Sequence, residues 1–85
     1  VLGDVAAETT AVLNVIAKVL KELGLEMRDI VKAEVHLADL TDFDAMDEAY
    51  RQCFPPNTTP ARTTTESKHL FGDSRVEITV QARRR

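Results

Sequence analysis

The chain has 85 residues with a formal net charge of −3, and 44% of them are hydrophobic against 29% charged. That composition is globular, and a chain this short buries only ~60 to 65% of its unfolded surface, so one domain over residues 1–85 with a thin core is expected, helped by other subunits. The acidic balance and the 5% aromatic content argue against nucleic-acid binding, which wants a basic face on the folded body.

No apolar run approaches the ~18 to 20 residues of a membrane span, and the opening Val1-Leu2-Gly3-Asp4 has neither a basic leader nor a cleavage pattern, so a soluble, cytoplasmic protein is expected. Because the first residue is not Met, a preceding stretch is expected to have been processed or truncated. Cys53 is the sole cysteine, which excludes an internal disulfide and a Cys-based zinc site and suits a reducing compartment. His36 and His69 have no Cys or carboxylate near them at metal-binding spacing and read as surface or partly buried imidazoles, not metal ligands.

Asp4 is a candidate N-cap for an amphipathic helix in which Val5, Thr9, Val12, Leu13, Ile16, Leu20 and Leu23 recur at three- and four-residue steps until Gly24 supplies a stop. Glu8, Asn14, Lys18, Lys21 and Glu22 form its solvated face. From Ile30 the period becomes two, with Val31, Ala33, Val35 and Leu37 on the core side of a strand and Lys32, Glu34, His36 and Ala38 opposite. Thr41 or Asp42 then caps a second helix whose apolar stripe is Phe43, Met46, Tyr50, Cys53 and Phe54.

Pro55-Pro56-Asn57-Thr58-Thr59-Pro60 is a loop, since consecutive prolines end the helix and Pro60 turns Thr59 away from helical angles. Residues 61–69 alternate without a strongly apolar side, and threonine favours strand over helix there. Gly72-Asp73 reads as a turn into a last amphipathic strand, with Val76, Ile78, Val80 and Ala82 against Glu77, Thr79 and Gln81. The order is α-β-α-β-β, with the last two strands expected as a hairpin. The fold class is α+β: a two-layer sandwich with two helices on one face of a mixed sheet, whose edges invite added strands or oligomerisation. The Arg83-Arg84-Arg85 cluster reads as a solvated tail.

Arg62 is the most informative residue. A guanidinium is a rigid fork of donors that fits a carboxylate bidentately, and Glu77 in the following strand offers a carboxylate able to hold or activate a water. The two are expected to converge from neighbouring strands on a small anionic guest. The bland alternative is a cross-strand ion pair, worth ~0.2 to 1 kcal/mol if exposed.

Several fragments, in order, resemble the reactive-intermediate deaminases, the Rid or YjgF-like proteins. Gly3-Asp4-Val5-Ala6-Ala7-Glu8-Thr9 resembles their first-helix entry, and Asp29 to Leu37 their "DIVKTTVFL" strand. Asp39-Leu40-Thr41-Asp42-Phe43 resembles their "DLNDF" helix start, Pro60-Ala61-Arg62-Thr63-Thr64 their "PARS" signature, and Val76-Glu77-Ile78 their closing "VEIE". The resemblance implies a chorismate-mutase-like fold and a homotrimer with sites between subunits, where 2-imino acids and their enamines are hydrolysed to 2-keto acids and ammonia without a cofactor. On the matching positions Arg62 would grip the substrate carboxylate, Glu77 would position water, and the backbone around Ala61 and Thr64 would line the pocket. Thr64 stands where many members carry a pocket cysteine. Asp47 replaces a pocket asparagine and would repel a carboxylate substrate unless protonated or turned away. Phe71 replaces a proline, and the family's N-terminal strands have no counterpart here. A non-catalytic trimer binding small carboxylates such as 2-keto acids, or a protein partner, is the alternative.

Overall fold

The computed structural model describes residues 4–67, 70 and 74–84. Helix α1 (Val5–Glu22) and helix α2 (Phe43–Gln52) form one layer; strands β1 (Ile30–Leu37), β2 (Ala61–Glu66) and β3 (Val76–Ala82) form the other. The expected order and α+β class are observed. The Gly72-Asp73 turn, Phe71, Lys68, His69 and Arg85 lie outside the described residues.

The cap on α1 is the expected one: the Asp4 carboxylate accepts the Ala7 N–H at 3.1 Å, and Gly24 ends the helix at φ 77°, a conformation glycine adopts without a Cβ penalty. Val5, Thr9, Leu13 and Leu20 are buried as the period predicts, whereas Leu23 is exposed. Glu8 departs from its expected place on the solvated face. It is buried, and its Oε1 accepts the backbone N–H of Arg75 at 2.9 Å, tying the helix to the entrance of β3. Asp42 is the N-cap residue of α2, one of the two positions expected, but its side chain makes no cap bond. The side-chain cap lies one turn earlier, where the Asp39 carboxylate accepts from Thr41 N and Thr41 Oγ1 at the start of a single 3₁₀ turn, Leu40–Asp42. Met46 and Tyr50 are fully buried in the core beside Phe54.

The strand order β2-β1-β3 corrects the expected hairpin. β1 pairs parallel with β2 and antiparallel with β3, so the last two strands occupy opposite edges of a mixed sheet. The α2 crossover delivers β2 parallel to β1, and β3 takes the other edge of β1 rather than the outer edge of β2. A register irregularity between Ile30 and Lys32 shifts the start of β1 by one residue. Ile30 is therefore buried and Val31 exposed, reversing the side expected for Val31, because a one-residue slip in a period-two element flips the face. Nor is the C-terminal run wholly a solvated tail: Arg84 Nη2 donates to the Leu23 carbonyl at 2.7 Å, neutralising an orphan acceptor at the end of α1.

Candidate functional site

The pleat sorts the sheet residues into two faces. Ala33, Val35 and Leu37 are fully buried against the helices, and their register partners share that face: Arg62, Thr64 and Glu66 on β2, and Val80, Ile78 and Val76 on β3. Lys32, Glu34 and His36 point to the other side, in rows with Ala61, Thr63 and Thr65 on β2 and Gln81, Thr79 and Glu77 on β3. Apart from Ala61 the residues of these rows are polar or charged. Lys32 Nζ lies 3.7 Å from Glu34 Oε1, and His36 Nδ1 lies 2.7 Å from Thr65 Oγ1.

Arg62 and Glu77 therefore do not converge within one chain. They stand on opposite faces, and β1 separates their strands, which rules out both the shared pocket and the simple cross-strand ion pair inside a single copy. The physical reason is the pairing order. Arg62 is level with Ala33 and Glu77 with His36, three residues apart along β1 and so on opposite sides of its pleat.

Around Arg62 the site is built by α2. Phe43, Asp47 and Tyr50 fall at i, i+4 and i+7 on one helical face, and the Arg62 guanidinium carbon sits 5.4 Å from the Phe43 ring centroid and 4.7 Å from that of Tyr50. Arg62 Nη1 lies 2.6 Å from Asp47 Oδ1, with the side chains 18% and 16% exposed. The two groups form a close ion pair, and among the described residues no hydrogen-bond partner is found for Asp47 Oδ1 beside it. Asp47 Oδ2 meets Arg51 Nε at 3.0 Å. Asp47 is thus not turned away from Arg62; it is clamped between two guanidinium groups.

An open cleft of about 420 Å³ at the start of β2 is lined by Asp47, Arg51, Thr59, Pro60 and Arg62. Ala61 projects to the opposite face and Thr64 is not in the lining. Arg51 and Thr59 are the cleft residues the sequence reading passed over; the i, i+4 spacing of Asp47 and Arg51 was the signal for the first. Among the described residues the Tyr50 hydroxyl and Thr64 Oγ1, both buried, have no hydrogen-bond partner. Burial pushes the Tyr50 hydroxyl above its ordinary range; the Arg62 cation opposes that shift, and the Asp47 carboxylate adds to it. Burial alone raises the Cys53 thiol. Among the described residues no three His, Cys, Asp or Glu side chains group as a metal site, and no helix is long and apolar enough to cross a membrane.

A two-layer α+β chain with this sheet order and an arginine at the start of β2 matches a known group of proteins in both sequence and structure. The chain belongs to the endoribonuclease L-PSP family, the YjgF or Rid group, whose sequence profile matches residues 1–84. The human 2-iminobutanoate/2-iminopropanoate deaminase is 38% identical over 78 residues, covering 92% of this chain and 56% of that protein. A RutC family protein of Pyrococcus abyssi is 37% identical over 78 residues, covering 92% of this chain and 61% of its own. The crystal structure of the E. coli YjgF gene product superposes with a TM-score of 0.91 at 34% identity, covering 100% of this chain and 68% of that one. The chain spans about six tenths of the length of these two curated relatives. Its fold is the chorismate-mutase-like fold of the YjgF structures.

Proposed function

We propose that this chain forms a deaminase that hydrolyses 2-imino acids of the 2-iminobutanoate and 2-iminopropanoate type to 2-keto acids and ammonia. The observation that carries the reading is Arg62: a guanidinium held at the wall of an open cleft, on the position that matches the family's "PARS" signature. A positioned cationic fork fixes the carboxylate end of a small substrate, and an acid near the C=N carbon orients the attacking water.

Because Arg62 and Glu77 face opposite ways in one chain, the complete site takes Arg62 from one copy and Glu77 from its neighbour. A homotrimer with sites at its subunit boundaries satisfies this, and the polar outer face of the sheet, with Glu77 in its row beside His36, is the surface that meets the next copy. Ala61 and Thr64 contribute backbone near the substrate, and no metal or cofactor takes part. The working compartment is the cytoplasm.

The test is hydrolysis of 2-iminopropanoate generated in situ, read as the keto acid formed. The parent chain accelerates it; Arg62→Met loses substrate affinity and Glu77→Gln loses turnover more than affinity. Equal rates for parent and Glu77→Gln would remove the water-positioning role.

A second reading, a non-catalytic module for small carboxylates or for a protein partner, is favoured by one observation: Asp47 already engages Arg62. It predicts saturable binding of a small carboxylate with no hydrolysis.

A further inference from the structure

The cleft beside β2 carries a charge pattern that a plain carboxylate receptor does not need. Its two guanidinium groups, Arg51 and Arg62, flank the single carboxylate of Asp47, with Oδ1 2.6 Å from Arg62 Nη1 and Oδ2 3.0 Å from Arg51 Nε. The two arginines differ in freedom. Arg62 is pinned between Phe43 and Tyr50, whereas the Arg51 side chain is 71% exposed and able to swing over the cleft.

A guanidinium has five N–H donors, and the contacts with Asp47 engage one nitrogen of each arginine, so donors remain for a second carboxylate. A ligand that is only an anion nevertheless places that carboxylate next to Asp47, and like charges side by side cost binding. A ligand whose carboxylate is accompanied by a cationic nitrogen on the adjacent carbon has no such conflict. Its anionic end takes the free guanidinium donors, and its nitrogen donates to Asp47.

We propose that Asp47 makes this cleft selective for 2-iminium and 2-ammonium carboxylates over 2-keto acids. The inference deepens the deaminase reading, on which its catalytic consequence rests. In the hydrolysis the protonated imino acid, R–C(=NH2+)–COO−, takes up one water; the water oxygen becomes the new C=O, the C–N bond breaks, and the nitrogen leaves as NH4+. The substrate enters with no net charge and the organic product leaves as a monoanion facing Asp47. The residue thus favours the more electrophilic, protonated C=N form on entry and repels the keto acid afterwards.

The experiment is calorimetric titration of the full chain and of Asp47→Asn with two stable probes of equal size, 2-aminobutyrate and 2-ketobutyrate. The parent is expected to bind the amino acid at least about tenfold more tightly, and Asp47→Asn, which keeps the shape and removes the charge, to reverse the preference. Equal or tighter binding of the keto acid by the parent, an unchanged preference in Asp47→Asn, or binding of neither probe by the parent overturns the proposal. Turnover is read separately: a parent with the predicted preference but no hydrolysis leaves the selectivity standing and removes the deaminase, and hydrolysis without the preference does the reverse.

Discussion

Arg62 and Asp47, from β2 and α2, form a largely buried ion pair 2.6 Å apart, roofed by the rings of Phe43 and Tyr50. The pair joins the sheet to the helix layer at the one edge where β2 has no apolar side of its own. Its value lies in mutual compensation, because a desolvated charge stripped of its partner is costly while the pair as a unit can be replaced by apolar groups.

Arg62→Met is accordingly expected to lower stability by about 2 kcal/mol, less than a fully buried pair would lose because Arg51 still meets Asp47. Adding Asp47→Leu should restore at least half of that loss. Urea denaturation of the two single variants, the double variant and the parent checks it. A double variant no more stable than Arg62→Met contradicts the coupling.

Glu8→Gln keeps an acceptor for the Arg75 N–H, whereas Glu8→Ala leaves that part-buried donor unpaired. The expected costs are under about 1 kcal/mol for glutamine and about 1 to 3 kcal/mol for alanine. Thermal unfolding of both variants measures the difference. Equal small effects would place Glu8 back on the solvated face.

The buried phenol and thiol make stability fall on the alkaline side. Burial holds the Tyr50 proton above the ordinary 10.0 and the Cys53 proton above the ordinary 9.0. A folded chain that keeps protons the unfolded chain releases is fully favoured below those ordinary values and loses that advantage as pH rises through the folded ones. Stability is therefore expected to decline from about pH 9 upward. Cys53→Ala should flatten the first part of the decline and Tyr50→Phe the part above pH 10. Since the Tyr50 hydroxyl has no hydrogen-bond partner among the described residues, Tyr50→Phe should change stability at pH 7 by less than about 0.5 kcal/mol. A loss above about 1.5 kcal/mol would reveal a partner for that oxygen.

How much of this was readable in the chain depends on the range of the interaction. The Asp4 cap, the Gly24 stop and the Met46–Tyr50–Phe54 stripe are local signals, and each is found where its spacing puts it. The bulge that exchanges Val31 for Ile30 leaves no local mark, since both are apolar and β-branched. The β2-β1-β3 order was hidden for a related reason. Two polar-faced strands near a Gly-Asp signal read as a hairpin, and only the long-range pairing with β1 decides otherwise. Glu8 looked solvated because its partner is a backbone N–H 67 residues away. At the site, Arg62 was legible from its motif, but its contact set was not. The stack on Phe43 and Tyr50 and the clamp of Asp47 between two arginines follow from how α2 lies over β2, a tertiary fact that helical spacing alone only hints at.

The division of the site between copies is the central claim, and subunit mixing tests it most directly. Arg62→Met and Glu77→Gln chains, each inactive alone, are unfolded together in equal amounts, refolded, and assayed for 2-iminopropanoate hydrolysis. If each site takes its arginine from one copy and its acid from the next, random assembly makes about a quarter of the sites whole, and activity returns to about that fraction of the parent's. A mixture as inactive as its two components would mean that both groups must come from one chain, which the sheet geometry forbids, and the proposed site would be wrong.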